Sequence, residues 1–137
     1  MNKPKEPRWL TRAIVEAIHT DQIRQHGGSF GIRDGALLES ALGRPRNRWH
    51  YEPEVELSEL GAAYGFGIAK NHPFIDGNKR AAFQAMYVFM GLNGWRIRAS
   101  EDEVVSIMES VAAGGADEAN LADWLREHMV RWRRRRT

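Results

Sequence analysis

The sequence predicts an all-α fold, a compact single-domain bundle of about six helices around a buried central helix over residues 78–92. Three observations carry this. Apolar residues recur at helical spacing in segment after segment, and Gly, Pro and Asn-Gly breaks separate the segments. No stretch alternates convincingly as a strand, Trp95–Arg98 being too short to matter. In residues 78–92, Ala81, Ala82, Phe83, Ala85, Met86, Val88, Phe89 and Met90 cover most of the circumference, which marks a helix buried nearly all round.

The elements follow in order. Leu10, Ala13, Ile14, Ala17 and Ile18 define an amphipathic helix over 8–25, broken by His26-Gly27-Gly28-Ser29-Phe30-Gly31. Asp34 is the expected N-cap of a short helix, 35–42, which Gly43 and Pro45 stop. Residues 44–57 read as a loop and as the candidate surface flap, with Arg44, Arg46 and Arg48 around Trp49. Ser58 is expected to cap the next helix, through Lys70. Pro73 ends that helix and is expected to push His72 into extended geometry. Asn78 opens the central helix and Asn93-Gly94 closes it with a left-handed turn. Ser100 and Glu103 make a capping box for a helix over 101–113. Gly114-Gly115 stop it, and Asp117 caps a last helix carrying Leu121, Trp124, Leu125 and His128.

With 137 residues the chain is read as one domain, 1–137, ending in a basic tail, 131–137. Five of its 20 Lys and Arg lie in that tail, leaving 15 against 18 Asp and Glu, so the body carries a net −3. A frayed, solvated helix end is the favoured account of the tail, and nucleic acid is not an expected partner. There is no cysteine, hence no disulfide and no thiolate chemistry. His19, His26, His50 and His128 show no metal-ligand spacing. No apolar run suits a membrane span or signal segment, so the cytoplasm is the expected location.

Chemistry concentrates in His72-Pro73-Phe74-Ile75-Asp76-Gly77-Asn78-Lys79-Arg80, between two helices. Amides at the start of a helix have no partner within it and point at an incoming anion. Gly77 lets the backbone come close to a ligand, and Gly77 with Asn78 can form a nest for phosphates. Lys79 and Arg80 add charge, Arg as a fork and Lys as a point. Asp76 is a hard oxygen ligand of the kind Mg²⁺ takes singly beside nucleotide phosphates. His72 can accept a proton near neutral pH, and the cations Lys70, Lys79 and Arg80 favour its neutral form. Phe74 alternates with His72 and Asp76 and is expected to face inward as an anchor. Each piece alone is more often structural; the ordered combination is what raises a site.

That combination resembles the Fic/Doc family, whose motif His-x-Phe-x-(Asp/Glu)-(Gly/Ala)-Asn-(Gly/Lys)-Arg matches at His72, Phe74, Asp76, Gly77, Asn78, Lys79 and Arg80. The runs Gly27-Gly28-x-x-Gly31-Ile32-Arg33-Asp34, Leu38-Glu39-Ser40-Ala41-Leu42, Phe89-x-x-x-Asn93-Gly94 and Ala122-x-Trp124-Leu125 are similar to its Doc (death-on-curing) toxin branch. The resemblance covers roughly residues 10–128. It implies a toxin of a toxin–antitoxin module. That toxin is a protein kinase moving a phosphoryl group from ATP to a threonine of elongation factor Tu and so halting translation. His72 is the implied base and Asp76 the Mg²⁺ ligand. Gly77, Asn78, Lys79 and Arg80 hold phosphates, and Lys70 is a further candidate by position. AMP transfer is the alternative. Fic proteins of that type usually carry Gly where Lys79 stands and Arg where Phe83 stands, which favours phosphorylation. A catalytically silent antitoxin-binding module is the other alternative. The implied partner is an antitoxin whose disordered C-terminal segment folds as a helix in a groove of the toxin. The inhibitory Ser/Thr-x-x-x-Glu-(Gly/Asn) motif found within many Fic chains is missing, which favours inhibition by a partner. Arg44, Arg46 and Arg48 are candidates to contact an acidic target or antitoxin, a plain solvated loop being favoured.

Overall fold

A computed structural model describes residues 5–133. It is all-α apart from one two-stranded ribbon: α1 (Arg12–His26), α2 (Gly35–Tyr51), α3 (Leu57–Asn71), α4 (Asn78–Leu92), β1 (Trp95–Ile97), α5 (Glu101–Ala113), α6 (Glu118–His128) and β2 (Met129–Arg131). Helix α3 is the hub, packing against α4, α2 and α6. Its buried side chains lie all round, and α4 buries Ala81, Ala82, Ala85, Met86, Phe89 and Met90. The expected central helix 78–92 is therefore present with the same bounds, but it shares the centre with α3. Glycines let α3 fit among three neighbours. A Cβ on Gly67 would stand 3.2 Å from Ala41 Cβ on α2, and one on Gly65 would stand 2.5 Å from Met86 Sδ on α4.

The N-terminal segment is pinned to this core. Tyr64 is fully buried, and its hydroxyl accepts the Leu10 N–H at 3.0 Å. Burial also pushes the Tyr64 phenol above its ordinary pKa. Trp9 stacks on Phe89 and meets Trp49 edge-on.

Four expectations change. Helix α1 starts at Arg12, not 8, because Thr11 caps it through the Ile14 N–H. The short helix 35–42 continues to Tyr51, so there is no flap over 44–57. Pro45 is buried inside it. The bond lost at Pro45 is offset by what the extra turns secure. Arg48 bonds Glu52, Glu59 and Glu118; Arg44 bonds Glu118; Trp49 packs on Trp9; Arg46 lies over the Trp9 ring. Ser58 does not cap α3. The helix begins after Glu56, whose N–H is taken by the Glu59 carboxylate at 3.0 Å, and Ser58 is buried with Oγ unpaired.

The fourth change is the ribbon. Trp95 pairs antiparallel with Arg131, Arg96 with Val130 and Ile97 with Met129. The Arg98 N–H to His128 carbonyl and Trp132 N–H to Gly94 carbonyl bonds extend it. Arg131, the first residue of the tail, is thus a strand residue with its guanidinium over the Trp95 ring, not part of a frayed helix. Arg134, Arg135 and Arg136 lie outside the described residues. The capping box of Ser100 with Glu103, the stop at Gly114 and the Asp117 cap of α6 are all present as expected. No described helix is long and apolar enough to cross a membrane.

Candidate active site

The loop between α3 and α4 carries the motif, and its backbone is fixed residue by residue. His72 closes α3 with its N–H on the Ile68 carbonyl at 3.2 Å. It does so in the left-handed region, φ 49° and ψ 55°, the only non-glycine residue with positive φ among the described residues. The expectation of an extended His72 is therefore corrected. A left-handed residue satisfies the last carbonyls of a helix, and here that requirement outweighs the preference set by Pro73. Such a conformation costs on the order of 1–2 kcal/mol for an L-residue, and it persists because the surroundings over-determine it. Arg33 supplies much of that determination. Its Nε donates to the His72 carbonyl at 2.7 Å and its Nη2 to the Asn71 carbonyl at 2.8 Å, a cation on the negative end of α3.

The following residues lie against the segment before α2. The Pro73 carbonyl accepts from the Arg33 and Asp34 amides, Phe74 bridges Ile32, and the Ile75 N–H reaches the Gly31 carbonyl. Phe74 is buried, as expected of an anchor, and stacks flat on His19. Asn78 then ties the loop together. Its Oδ1 accepts the Phe74 N–H and its Nδ2 donates to the Phe74 carbonyl, both at 3.0 Å. Those two bonds settle which end of the amide is which, and they leave Nδ2 3.5 Å from His72 Nδ1. A contact of that length orients the imidazole without fixing its tautomer. Asn78 thus serves the site through its backbone position and by placing His72; its side chain is committed to the loop.

Gly77 takes φ 72° and is the N-cap of α4. The first bond inside α4 runs from the Ala81 N–H to the Gly77 carbonyl, so the amides of Asn78, Lys79 and Arg80 precede it. Asp76 is set beside them. Its Oδ1 accepts the Gly77 N–H at 2.9 Å and its Oδ2 the Ser29 N–H at 3.2 Å. Only glycine fits at position 28, where a Cβ would lie 2.6 Å from Asp76 Oδ2.

A hollow of about 290 Å³ results, lined by His72, Ile75, Asp76, Gly77, Asn78, Lys79 and Arg80. Six of the sequence-derived site residues meet there. Lys70 does not line it; it is exposed on the last turn of α3. Lys79 makes no ion pair among the described residues, and Arg80 only reaches the Gly27 carbonyl at 3.3 Å. The hollow therefore presents a helix N-terminus and two cations, chemistry suited to phosphate oxygens. No described cluster of His, Asp or Glu could hold a metal unaided. Asp76 has lone pairs left on both carboxylate oxygens, so the donor set fits a hard cation that arrives with a polyphosphate and completes its shell from it. Alongside, a groove of about 540 Å³ between α1, α4 and α5 shares Lys79 and Arg80 and is walled by Phe83, Tyr87, Val104 and Met108.

Three contributors escaped the sequence reading: His19, Arg33 and the Gly28-Ser29 turn. His19 had a visible signal. It stands four residues from both Val15 and Ile23, on the buried face of α1. The turn lies in the Gly27–Asp34 run that carries the resemblance, but nothing local ties it to Asp76, 47 residues away.

The chain matches the Fic/DOC family over residues 9–90. It is 33% identical over 119 residues to "Protein kinase doc" of Escherichia phage P1, covering 87% of this chain and 94% of that protein. It is 32% identical over 99 residues to "Toxin Doc" of Mycolicibacterium smegmatis, covering 70% and 76%. The chain belongs to the Fic/Doc family.

Proposed function

We propose that this chain is the toxin of a toxin–antitoxin pair and a protein kinase that transfers the γ-phosphoryl group of ATP to a threonine hydroxyl of a translation factor, elongation factor Tu being the expected substrate. The observation that carries the reading is the single hollow in which a strained His72 faces Asp76, Lys79, Arg80 and the start of α4. The names of the two relatives, a protein kinase and a toxin, point the same way.

On this reading His72 takes the proton of the attacking hydroxyl. The hydroxyl oxygen bonds to the γ-phosphorus, the bond from that phosphorus to the β,γ-bridging oxygen breaks, and ADP leaves. The α4 amides with Lys79 and Arg80 hold the phosphate oxygens, so the charge that shifts during transfer meets fixed donors. Asp76 is the residue to hold Mg²⁺, which when bound supplies neutralisation of the phosphate charge. Lys79 fills and charges the space that a glycine would leave open. Phe83 lines the groove rather than the hollow, so position 83 adds no cation for further phosphates. Both features favour phosphoryl transfer over AMP transfer. The groove suits a helix, and the disordered C-terminal segment of an antitoxin is its proposed occupant. Translation as the target places the activity in the cytoplasm.

The test is mass spectrometry of purified elongation factor Tu after incubation with the protein, ATP and Mg²⁺, with His72→Ala as control. The expected result is the gain of one phosphate on a threonine, absent with the variant. A gain of AMP, or a phosphate gain that persists without His72, refutes the kinase mechanism.

A further inference from the structure

His19 has no part in the transfer just described, yet it is 3% exposed and sits directly behind the site. Its ring stacks on Phe74 with centroids 3.9 Å apart and planes 4° from parallel. Its Nε2 lies 2.7 Å from the Asp76 carbonyl oxygen. A carbonyl can only accept, so Nε2 carries a proton and donates.

Asp76 is thereby held at three atoms. Ser29 and Gly77 secure the carboxylate, and His19 secures the carbonyl. The first two donors belong to surface loops, whereas His19 reaches out from a helix packed into the core. The Asp76 carbonyl and the Gly77 N–H belong to one planar peptide unit. If the carbonyl loses its donor and the unit turns, the Gly77 N–H leaves Oδ1 and the α4 terminus loses its orientation. We infer that His19 is a positioning residue: it locks the Asp76–Gly77 peptide so that the Asp76 carboxylate and the first amides of α4 face the hollow together. The inference rests on the nucleotide-binding role proposed for that hollow.

Two substitutions separate the donor from the ring. His19→Gln keeps an amide donor close to the position of Nε2 and gives up the stack. His19→Phe keeps the stack and gives up the donor. If the donor matters, the ligand-free His19→Phe protein exchanges its bonded Gly77 and Ala81 amides about tenfold faster, while His19→Gln stays within about twofold of the parent. Calorimetry with ATP then shows a loss of about tenfold in the Phe variant when Mg²⁺ is present and a smaller loss without it, both restored by Gln. The inference is overturned if the Phe variant matches the parent, if both variants lose equally, or if exchange in the Phe variant accelerates as much in α6 as at the site. If the parent binds no ATP but the exchange pattern is as expected, the positioning of the loop stands and the nucleotide reading falls.

Discussion

The two ends of α3 treat charge in opposite ways. At its start, each guanidinium meets a carboxylate. Arg48 bonds Glu52, Glu59 and Glu118, Arg44 shares Glu118, and Arg126 reaches Glu56 and Asp123. Arg48 is held well above the ordinary arginine pKa, first by its bond to Glu52, and Glu52 is lowered in return. At the end of α3, Arg33 is committed to backbone carbonyls, and Lys79 and Arg80 have no carboxylate among the described residues. The Asp76 carboxylate is bonded, among the described residues, by backbone N–H groups alone. Charges that neutralise one another hold helices together and offer little to a ligand. Charges kept apart on a fixed backbone repel or wait for a counter-charge, which is how a binding site departs from what stability alone would select. His72, the one non-glycine residue with positive φ among the described residues, lies at the same end.

The sharpest way to break this contrast is His72→Gly. On the proposed mechanism it removes the base, and transfer falls by about 10²–10⁴-fold. Glycine relieves the left-handed backbone, so stability stays level or rises by up to about 1 kcal/mol. Turnover and denaturant titration on one preparation check both. A variant that is less stable and still active would place the strain and the chemistry on different residues. The converse is Arg48→Met, which strips the charge from the paired end and leaves Glu59 and Glu118 facing each other's field. Because these groups are only partly buried, about 2 kcal/mol is the expected loss in urea unfolding, with transfer per folded molecule unchanged. Lost turnover at full stability would show that the paired end also serves the site.

Much of this was legible in the chain, and the failures share a cause. Local signals read well: the Asp34, Ser100 and Asp117 caps, the Asn78 start, the inward Phe74 and the clustering of His72 with Asp76, Lys79 and Arg80 all stand. What went unread depends on partners far along the chain. Pro45 reads as a stop, but Glu59 and Glu118 hold the helix through it to Tyr51. Trp95–Arg98 reads as too short, but residues 129–131 pair with Trp95–Ile97 to make a ribbon. Pro73 next to it makes His72 read as extended; the Arg33 fork that fixes it lies 39 residues back. His19 lacks metal-ligand spacing, and a histidine that donates to a carbonyl 57 residues away carries no such spacing.

The smallest expected effect concerns a charge pair between α5 and α6. His128 joins the end of α6 to the start of α5. Nε2 lies 3.0 Å from Glu103 Oε2, Nδ1 lies 2.6 Å from the Trp124 carbonyl, and the ring stacks on Trp124. Burial works against its charged form, but the Trp124 carbonyl and Glu103 outweigh it and raise its pKa. Bonding to the Ser100 backbone N–H, then to His128, lowers Glu103 to about 2. The two signs define a window. A raised histidine contributes fully below its unfolded pKa of about 6.5 and loses that contribution as pH rises through its folded value. A lowered carboxylate contributes fully above its unfolded value, about 4.3, and loses that as pH falls towards 2. The pair therefore stabilises most between roughly pH 4.5 and 6.5. Melting temperature followed across pH 4–8 should drop on the alkaline side in the parent, and the drop should shrink in His128→Gln. An equal alkaline drop in both would remove His128 from the structural side of the comparison and leave the paired end of α3 to carry it alone.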